Sequence, residues 1–446
     1  MKASKLLFDS FLCRSMLLNR CTSINKMYTT HIRPESSSDD LHLKAPDQQS
    51  TQTVREVKLK FMEVMGNKRG FQSIKQSRAH LLKYLPTSQD ELPPKSMQES
   101  FDSAIIPLSS NLTLQEKYVN VMGNVRLGRL MEDMDIFAAW IAMNFIQNPK
   151  LPEGEAKPYV IVTILVDQIS FTDVMPKRDE DIRISGHVSW VGTSSIEVTV
   201  WLEQKLLGEW QKLTTAIFLM AARNATNTTG APVNKIIPAN ELESKILAAA
   251  IARKKRRLIE DKGSVLATMP DPDELRVVHD LFVQSVDLKN PTLNKRILPA
   301  GTVWMSDTKQ SNIIFSHPED RNLHNKVFGG FLMRMALELA SISAQLHSKH
   351  RPKLRHISDI SFKKPVNVGS LLRMSSQVVY TEHNYMQIVV YAEVSDPFTG
   401  QQATTNMFHF TYESPEFVPP VMPNTYQDAM SYVDGRRHFQ EVMGLK

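Results

Sequence analysis

The chain has 446 residues, of which 42% are hydrophobic and 22% charged, and a net charge of +6. That length favours two or three folded units with the composition of an ordinary globular protein, and the lack of any run of 18 apolar residues gives no membrane-spanning helix. Both cysteines, Cys13 and Cys21, lie near the N-terminus, so a chain processed beyond them has no disulfide, cysteine nucleophile or cysteine-based zinc site.

The first 34 residues carry Lys2, Lys5, Arg14, Arg20, Lys26 and Arg33 against one acid, Asp9, with serines interspersed among Leu6, Leu7, Phe8, Leu12, Leu17 and Leu18. A basic, serine-rich, acid-poor and amphipathic segment is the composition of a mitochondrial transit peptide, expected over residues 1–30; a basic tail is the plainer alternative. Residues 31–98 are expected to be a linker and N-terminal arm, with ordered structure starting between 60 and 100. A first module is expected over 99–226 and a helical connector over 227–304. The connector includes the run Arg253-Lys254-Lys255-Arg256-Arg257, read as a solvated helix face in preference to a nuclear signal or phosphate-binding patch. A second module is expected over 305–417 and a tail over 418–446. The charge total, built from the presequence and this run, is not read as a nucleic-acid footprint.

The second module repeats the first. Ile169-Ser170-Phe171 recurs as Ile360-Ser361-Phe362, an offset of 191, and Val188-Ser189-Trp190 as Val378-Val379-Tyr380, an offset of 190. Glu197 to Glu203 matches Gln387 to Glu393, and Thr214 to Phe218 matches Thr404 to Phe408, both again at 190. These segments are rich in β-branched and aromatic residues and bounded by turn residues, so they predict antiparallel strands. Each copy is preceded by one long helix, at about 126–145 and 329–346. The fold class that follows is α+β, a helix packed on an antiparallel sheet, twice.

At about 100° per residue, Leu127, Leu130, Met131, Met134, Ala138, Ile141, Ala142 and Phe145 form one stripe of the first helix. Glu132 and Asp133 fall away from it and are expected to be solvated. Asp135 falls at its edge, where partial desolvation raises a carboxyl pKa and suits it to proton transfer; an acid that merely reaches out to water fits that position equally well. In the second helix Phe331, Leu332, Met335, Leu339, Ile342 and Leu346 form the stripe. Setting Gly128 against Gly330, an offset of 202, places Leu337 at the Asp135 position. Gly329-Gly330 opens that helix, where backbone N–H groups lack intrahelical partners and can polarise a carbonyl, although a packing role explains such a pair as well.

The run Asn322-Leu323-His324-Asn325-Lys326-Val327-Phe328-Gly329-Gly330-Phe331-Leu332-Met333, together with Asn124-Val125-Arg126-Leu127-Gly128 through Asp135, resembles the hotdog-fold acyl-CoA thioesterases. The resemblance covers roughly residues 95–420. It implies a tandem (double) hotdog, in which each long helix is wrapped by a curved antiparallel sheet. It also implies hydrolysis of acyl-CoA to free acid and CoA, at a site combining an acid of one central helix with loop groups of the other. On that resemblance Asp135 is the general base or nucleophile, Gly330 supplies an N–H to the thioester carbonyl, and Asn325 or His324 orients water or substrate. Asn124, Gly128, Phe328, Gly329 and Asn322 are the expected substrate-binding positions. Leu337 in place of a second acid, Lys326 in place of the usual Asn or Asp, and Arg126-Leu127-Gly128 in place of a double glycine imply one competent site out of two.

An acyl-thioester dehydratase and a non-catalytic acyl-CoA sensor are the alternatives. No Gly-x-Ser-x-Gly elbow, P-loop or dinucleotide fingerprint occurs. No metal or other cofactor is expected, coenzyme A being part of the substrate. No ligand cluster is legible, and His187, His279 and His409 are read as ordinary sheet or surface residues. Expected partners are acyl-CoA and further copies of the chain, as a trimer of double hotdogs or a dimer. The expected location is the mitochondrial matrix.

Overall fold

The computed structural model describes residues 41–44, 52–66, 77–167, 169–206, 208–260, 265, 268–287, 289, 295–317 and 326–445. The expected transit peptide lies outside them. Among the described residues no helix is long and apolar enough to cross a membrane.

The helices are α1 (Val54–Val64), α2 (Leu112–Tyr118), α3 (Leu127–Phe145), α4 (Glu241–Glu260), α5 (Pro272–Gln284), α6 (Gly329–Ser348) and α7 (Tyr426–Val442). The first half contributes strands β1 (Asp102–Ile106), β2 (Tyr159–Val166), β3 (Ile169–Phe171), β4 (Ile182–Val191), β5 (Ser195–Leu206) and β6 (Glu209–Asn224). The second contributes β7 (Val303–Trp304), β8 (Gln310–Phe315), β9 (Lys353–Ile357), β10 (Ile360–Ser361), β11 (Leu371–Glu382), β12 (Tyr385–Ser395), β13 (Gln402–Glu413) and β14 (Val421–Met422). Twelve of these join in one antiparallel sheet, with β7 and β14 paired separately. The central helix α3 packs on β2, β4, β5 and β6, and α6 on β8, β11, β12 and β13. Each half is a hotdog, and α3 and α6 pack on one another.

The halves meet at a two-fold-like seam. β3 pairs with β9, placing Ile169 opposite Ile357, and β10 pairs with β2, placing Ile360 opposite Val166. The two pairings exchange under the offset of 191. Even irregularities are duplicated. The ladder breaks between Val188 and Trp190 and again between Val378 and Tyr380. Each break is filled alike: the Val188 N–H donates to Ser100 Oγ and the Val378 N–H to Thr308 Oγ1. A bulge shared this way is a built feature of the fold.

The last strand corrects the expected register. Phe218 stands opposite Val198 and Phe410 opposite Ile388, so β6 and β13 repeat at 192 rather than 190. A slip of two residues leaves the inward and outward alternation unchanged, and the sequence pattern matched in the wrong register for that reason. The extra length sits in the hairpin after Ser395, six residues long where the first copy has two (Leu206 pairs Glu209; Ser395 pairs Gln402).

Four further expectations change. Order begins before residue 60, because Thr53 and Glu56 form a capping box that starts α1. α1 then covers the side of α3 that the sheet leaves open, burying that helix on nearly every face. In α6 the face against the sheet is made of small residues, Ala336, Ala340, Ser343 and Ala344, with Met333 and Leu337. The expected stripe members Ile342 and Leu346 are 50% and 47% exposed. Phe331, Leu332 and Leu339 of that stripe are buried as expected, so bulk misled only toward the C-terminal end, where small residues take the close approach.

The basic run is a solvated face only at Lys254 and Lys255. Arg253 and Arg257 pair with Glu197 of β5, and Arg256 and Arg257 with Asp167 between β2 and β3, both acids being buried. The run fastens α4 to the outer side of the first hotdog. The region expected as a tail holds α7, which covers β11 as α4 covers the equivalent β4. Each hotdog thus ends in a helix laid over its own outer face.

Candidate active site

The two central helices cross where each has a glycine. A Cβ on Gly330 would lie 2.9 Å from Glu132 Cα and 3.0 Å from both Asp135 Cβ and the Glu132 carbonyl oxygen. A Cβ on Gly128 would lie 3.1 Å from Arg334 Cγ and 3.3 Å from Arg334 Cα. Each glycine therefore meets the residue four places after the other. That mutual contact fixes the helix register at 202, with Glu132 facing Arg334 in an ion pair of 2.9 Å. Side chains at either glycine would hold the backbones apart.

Asp135 lies at this crossing, 2% exposed, so it is buried in the core rather than at the rim of the apolar stripe. Its Oδ1 accepts a hydrogen bond from Thr163 Oγ1 at 2.6 Å, and its Oδ2 accepts the Gly330 N–H at 2.7 Å. Gly330 is the second residue of α6, so that N–H has no intrahelical partner and sits at the positive end of the helix. Burial pushes the Asp135 carboxyl up to about 6, against the opposing pull of the Thr163 and Gly330 bonds. The result is a fixed carboxylate, ionised at neutral pH, that is more basic than a solvated one.

Thr163 was not foreseen. It is the lone hydroxyl in the apolar run Val160 to Val166 of β2, and that polarity was the available signal. It stands at a bulge, where the β2–β6 ladder skips Ile164. The second copy has the same bulge, where the β9–β13 ladder skips Arg355 and places Leu354 at the Thr163 position. Both polar members of the constellation, Asp135 and Thr163, therefore face leucines, Leu337 and Leu354, in the other copy.

The expected solvated acids are corrected as well. Glu132 is half-buried between Arg129 and Arg334. Asp133 accepts from the Tyr118 hydroxyl, and burial pushes its carboxyl up to about 7.

The remaining candidates divide. Gly329 adjoins Asp135: a Cβ there would lie 3.5 Å from Asp135 Oδ2 and 3.0 Å from the Phe362 ring. Phe328 caps the start of α6 and packs partly buried against the core. The Gly330 N–H, expected to meet the thioester carbonyl, is instead taken by Asp135. Asn124 is exposed in a turn, its N–H donating to Asn120 Oδ1. By the helix register it corresponds to Lys326, so Asn124 and Gly128 belong to the end bearing Leu337, away from Asp135. Lys326 itself bonds Asn367. Asn322, His324 and Asn325 lie outside the described residues.

No protein-family model matches the chain. Among curated proteins it is 39% identical to human mitochondrial acyl-coenzyme A thioesterase 9 over 402 residues, 90% of this chain and 91% of that protein. It is 36% identical to mouse mitochondrial acyl-coenzyme A thioesterase 10 over 428 residues, 95% of each. Solved structures similar to it include an acyl-CoA hydrolase from Staphylococcus aureus, 24% identical, covering 32% of this chain and 94% of that one with a TM-score of 0.30. Another is an acyl-ACP thioesterase from Bacteroides thetaiotaomicron, 13% identical, covering 72% and 100% with a TM-score of 0.40. Identity near two-fifths across nine-tenths of both proteins makes the chain a member of the acyl-coenzyme A thioesterase family.

Proposed function

We propose that the chain hydrolyses acyl-CoA thioesters to a free acid and CoA at a single site built around Asp135. The observation that carries this reading is the buried carboxylate of α3 gripped by Thr163 and by the first turn of α6. In the mechanism, ionised Asp135 takes a proton from a water molecule as its oxygen bonds to the thioester carbonyl carbon. The tetrahedral intermediate then collapses, breaking the C–S bond, and the sulfur leaves as CoA thiolate and is protonated. The alternative within the same geometry is direct attack by a carboxylate oxygen, giving an acyl–aspartyl anhydride that water then cleaves. With the Gly330 N–H committed to Asp135, the donor to the carbonyl oxygen is assigned to Gly329, whose N–H has no partner among the described residues.

Release of CoA thiol from a panel of short, medium and long fatty acyl-CoAs tests the activity, and no release from any of them defeats it. A single turnover in ¹⁸O-water separates the two mechanisms: the base route puts ¹⁸O into the first acid formed, whereas cleavage of an anhydride at the aspartyl carbon leaves it unlabelled. L337M tests the single site, with turnover expected to stay within about threefold, since a volume-conserving core change costs little.

The proposal extends to place and assembly. The relatives are named as mitochondrial, and the basic presequence supports matrix import of this chain. At the end of the sheet β8 pairs, among the described residues, only with β11, and Ile313 is 57% and Phe315 48% exposed. An apolar free edge of this kind supports self-association, as the expected dimer or trimer of double hotdogs.

A further inference from the structure

α7 lies across the outer face of β11, β12 and β13. On β13, Phe408 and Phe410 point into the core, so His409 between them points outward, beneath that helix. It is 5% exposed, and neither of its ring nitrogens has a hydrogen-bond partner. An imidazole carries one N–H and one lone pair even when neutral, so leaving both unmet in the interior is costly. From α7 come Asp434 and His438, four residues apart and therefore on one face of the helix. Asp434 Oδ2 stands 3.7 Å from His409 Nε2 and 3.9 Å from His438 Nε2. The two imidazoles stack with centroids 3.8 Å apart, and His438 Nδ1 is also buried without a partner.

We propose that His409, Asp434 and His438 bind one divalent transition-metal ion, zinc foremost, which pins the C-terminal helix to the second hotdog. One ligand atom from each residue lies within 4.8 Å of the others. A tetrahedral zinc ion with bonds of about 2.0–2.1 Å sets its ligand atoms about 3.4 Å apart. The spacings from Asp434 exceed that by a few tenths of an ångström, and binding requires the two stacked rings to turn so that a nitrogen of each points at the ion. Two imidazoles and one carboxylate suit zinc and its neighbours and fit magnesium or calcium poorly. A fourth position is left for water.

The cluster lies on the opposite side of the sheet from α6 and Asp135, so the ion has a structural role and no part in thioester chemistry. The first copy has no counterpart: in the corrected register His409 replaces Ile217, and α4 is fastened by its arginines instead. The two outer helices are held by different chemistry.

The experiment uses the full chain after dialysis against a chelator, titrated with zinc chloride by calorimetry and with cobalt chloride by visible absorption. One equivalent of each should bind, with cobalt giving the d–d bands of a low-coordinate nitrogen–oxygen site. H438A and D434N should each weaken zinc binding at least tenfold, and zinc should raise the melting temperature of the parent protein but not of H438A. Circular dichroism and CoA release check that both variants are folded. The proposal is overturned by an absence of saturable binding, or by unchanged affinity in the two folded variants.

Discussion

Replacing Asp135 by asparagine separates the chemical role of the carboxylate from its structural cost. A carboxyl held near 6 instead of 3.8 is harder to ionise in the folded protein by about two pKa units, or ~3 kcal/mol at 1.36 kcal/mol per unit. Below pH ~4 the group is protonated in folded and unfolded chains alike, and its stabilising contribution is fully present. As pH rises through 6 the unfolded chain has already given up its proton, and that contribution is lost. An amide never ionises and avoids the loss. Asparagine also fits: its Oδ1 accepts the Gly330 N–H, and its Nδ2 donates to Thr163 Oγ1, which turns from donor to acceptor. D135N should therefore be more stable than the parent by ~1–3 kcal/mol at pH 8 and about equal to it near pH 4. Turnover should fall by about 10²–10⁴. Urea unfolding at the two pH values and a thiol-release assay measure both. A variant that is less stable at pH 8, or nearly as active as the parent, would refute the reasoning.

Five further outcomes are expected. The parent kcat/KM should rise about tenfold per pH unit below 6 and level off above it as Asp135 ionises. T163V removes a bond that favours the ionised form, so the whole rise should move to higher pH, and a profile left in place would deny Thr163 its role. G330A should destabilise by ~1–3 kcal/mol and cut turnover more than tenfold, because its Cβ strikes Glu132 backbone beside the carboxylate. G128A makes a milder clash at the other end of the crossing, 3.1 Å from Arg334 Cγ, and should retain most turnover; a loss as large as that of G330A would count against a single site. E197Q removes the buried acid shared by Arg253 and Arg257, Arg257 keeping Asp167, and should cost ~3–5 kcal/mol in urea unfolding while kcat changes little.

The sequence carried the fold where the signal was local and periodic. Both central helices lie within a residue or two of their expected bounds, and three of the four strand matches hold in register, because alternation and helical period are written along the chain. Asp135 was legible for the same reason, as an acid at the margin of an apolar stripe. What escaped depended on distance. The arginines of α4 read as solvated because their acids, Glu197 on β5 and Asp167 between β2 and β3, lie 56 to 90 residues away. Thr163 could be tied to Asp135 only through a bulge that re-aims one side chain, and His409 to α7 only through the packing of a helix expected as a tail.

The offsets of the duplication explain why the central helices had to be aligned on their glycines and not in the strand register. Strands repeat at 190 to 192 and the central helices at 202, because the first copy has a longer connection between α3 and β2 than the second has between α6 and β9. Loops absorb such insertions without disturbing the core. Carried into the helices, the strand offset would have set Asp135 against Asn325 or Lys326, both polar, and suggested two intact sites. The glycine crossing fixes the proper register, and in it Asp135 faces Leu337 while Thr163 faces Leu354. A carboxylate and its hydroxyl partner present together in one copy, with leucine at both positions in the other, argue that the polar pair works as a unit. An Asp without its hydroxyl and N–H donors would bury charge at a cost nothing offsets. The helix crossing, kept by Gly128 and Gly330 in both copies, holds the double hotdog together whether or not chemistry is present at each end.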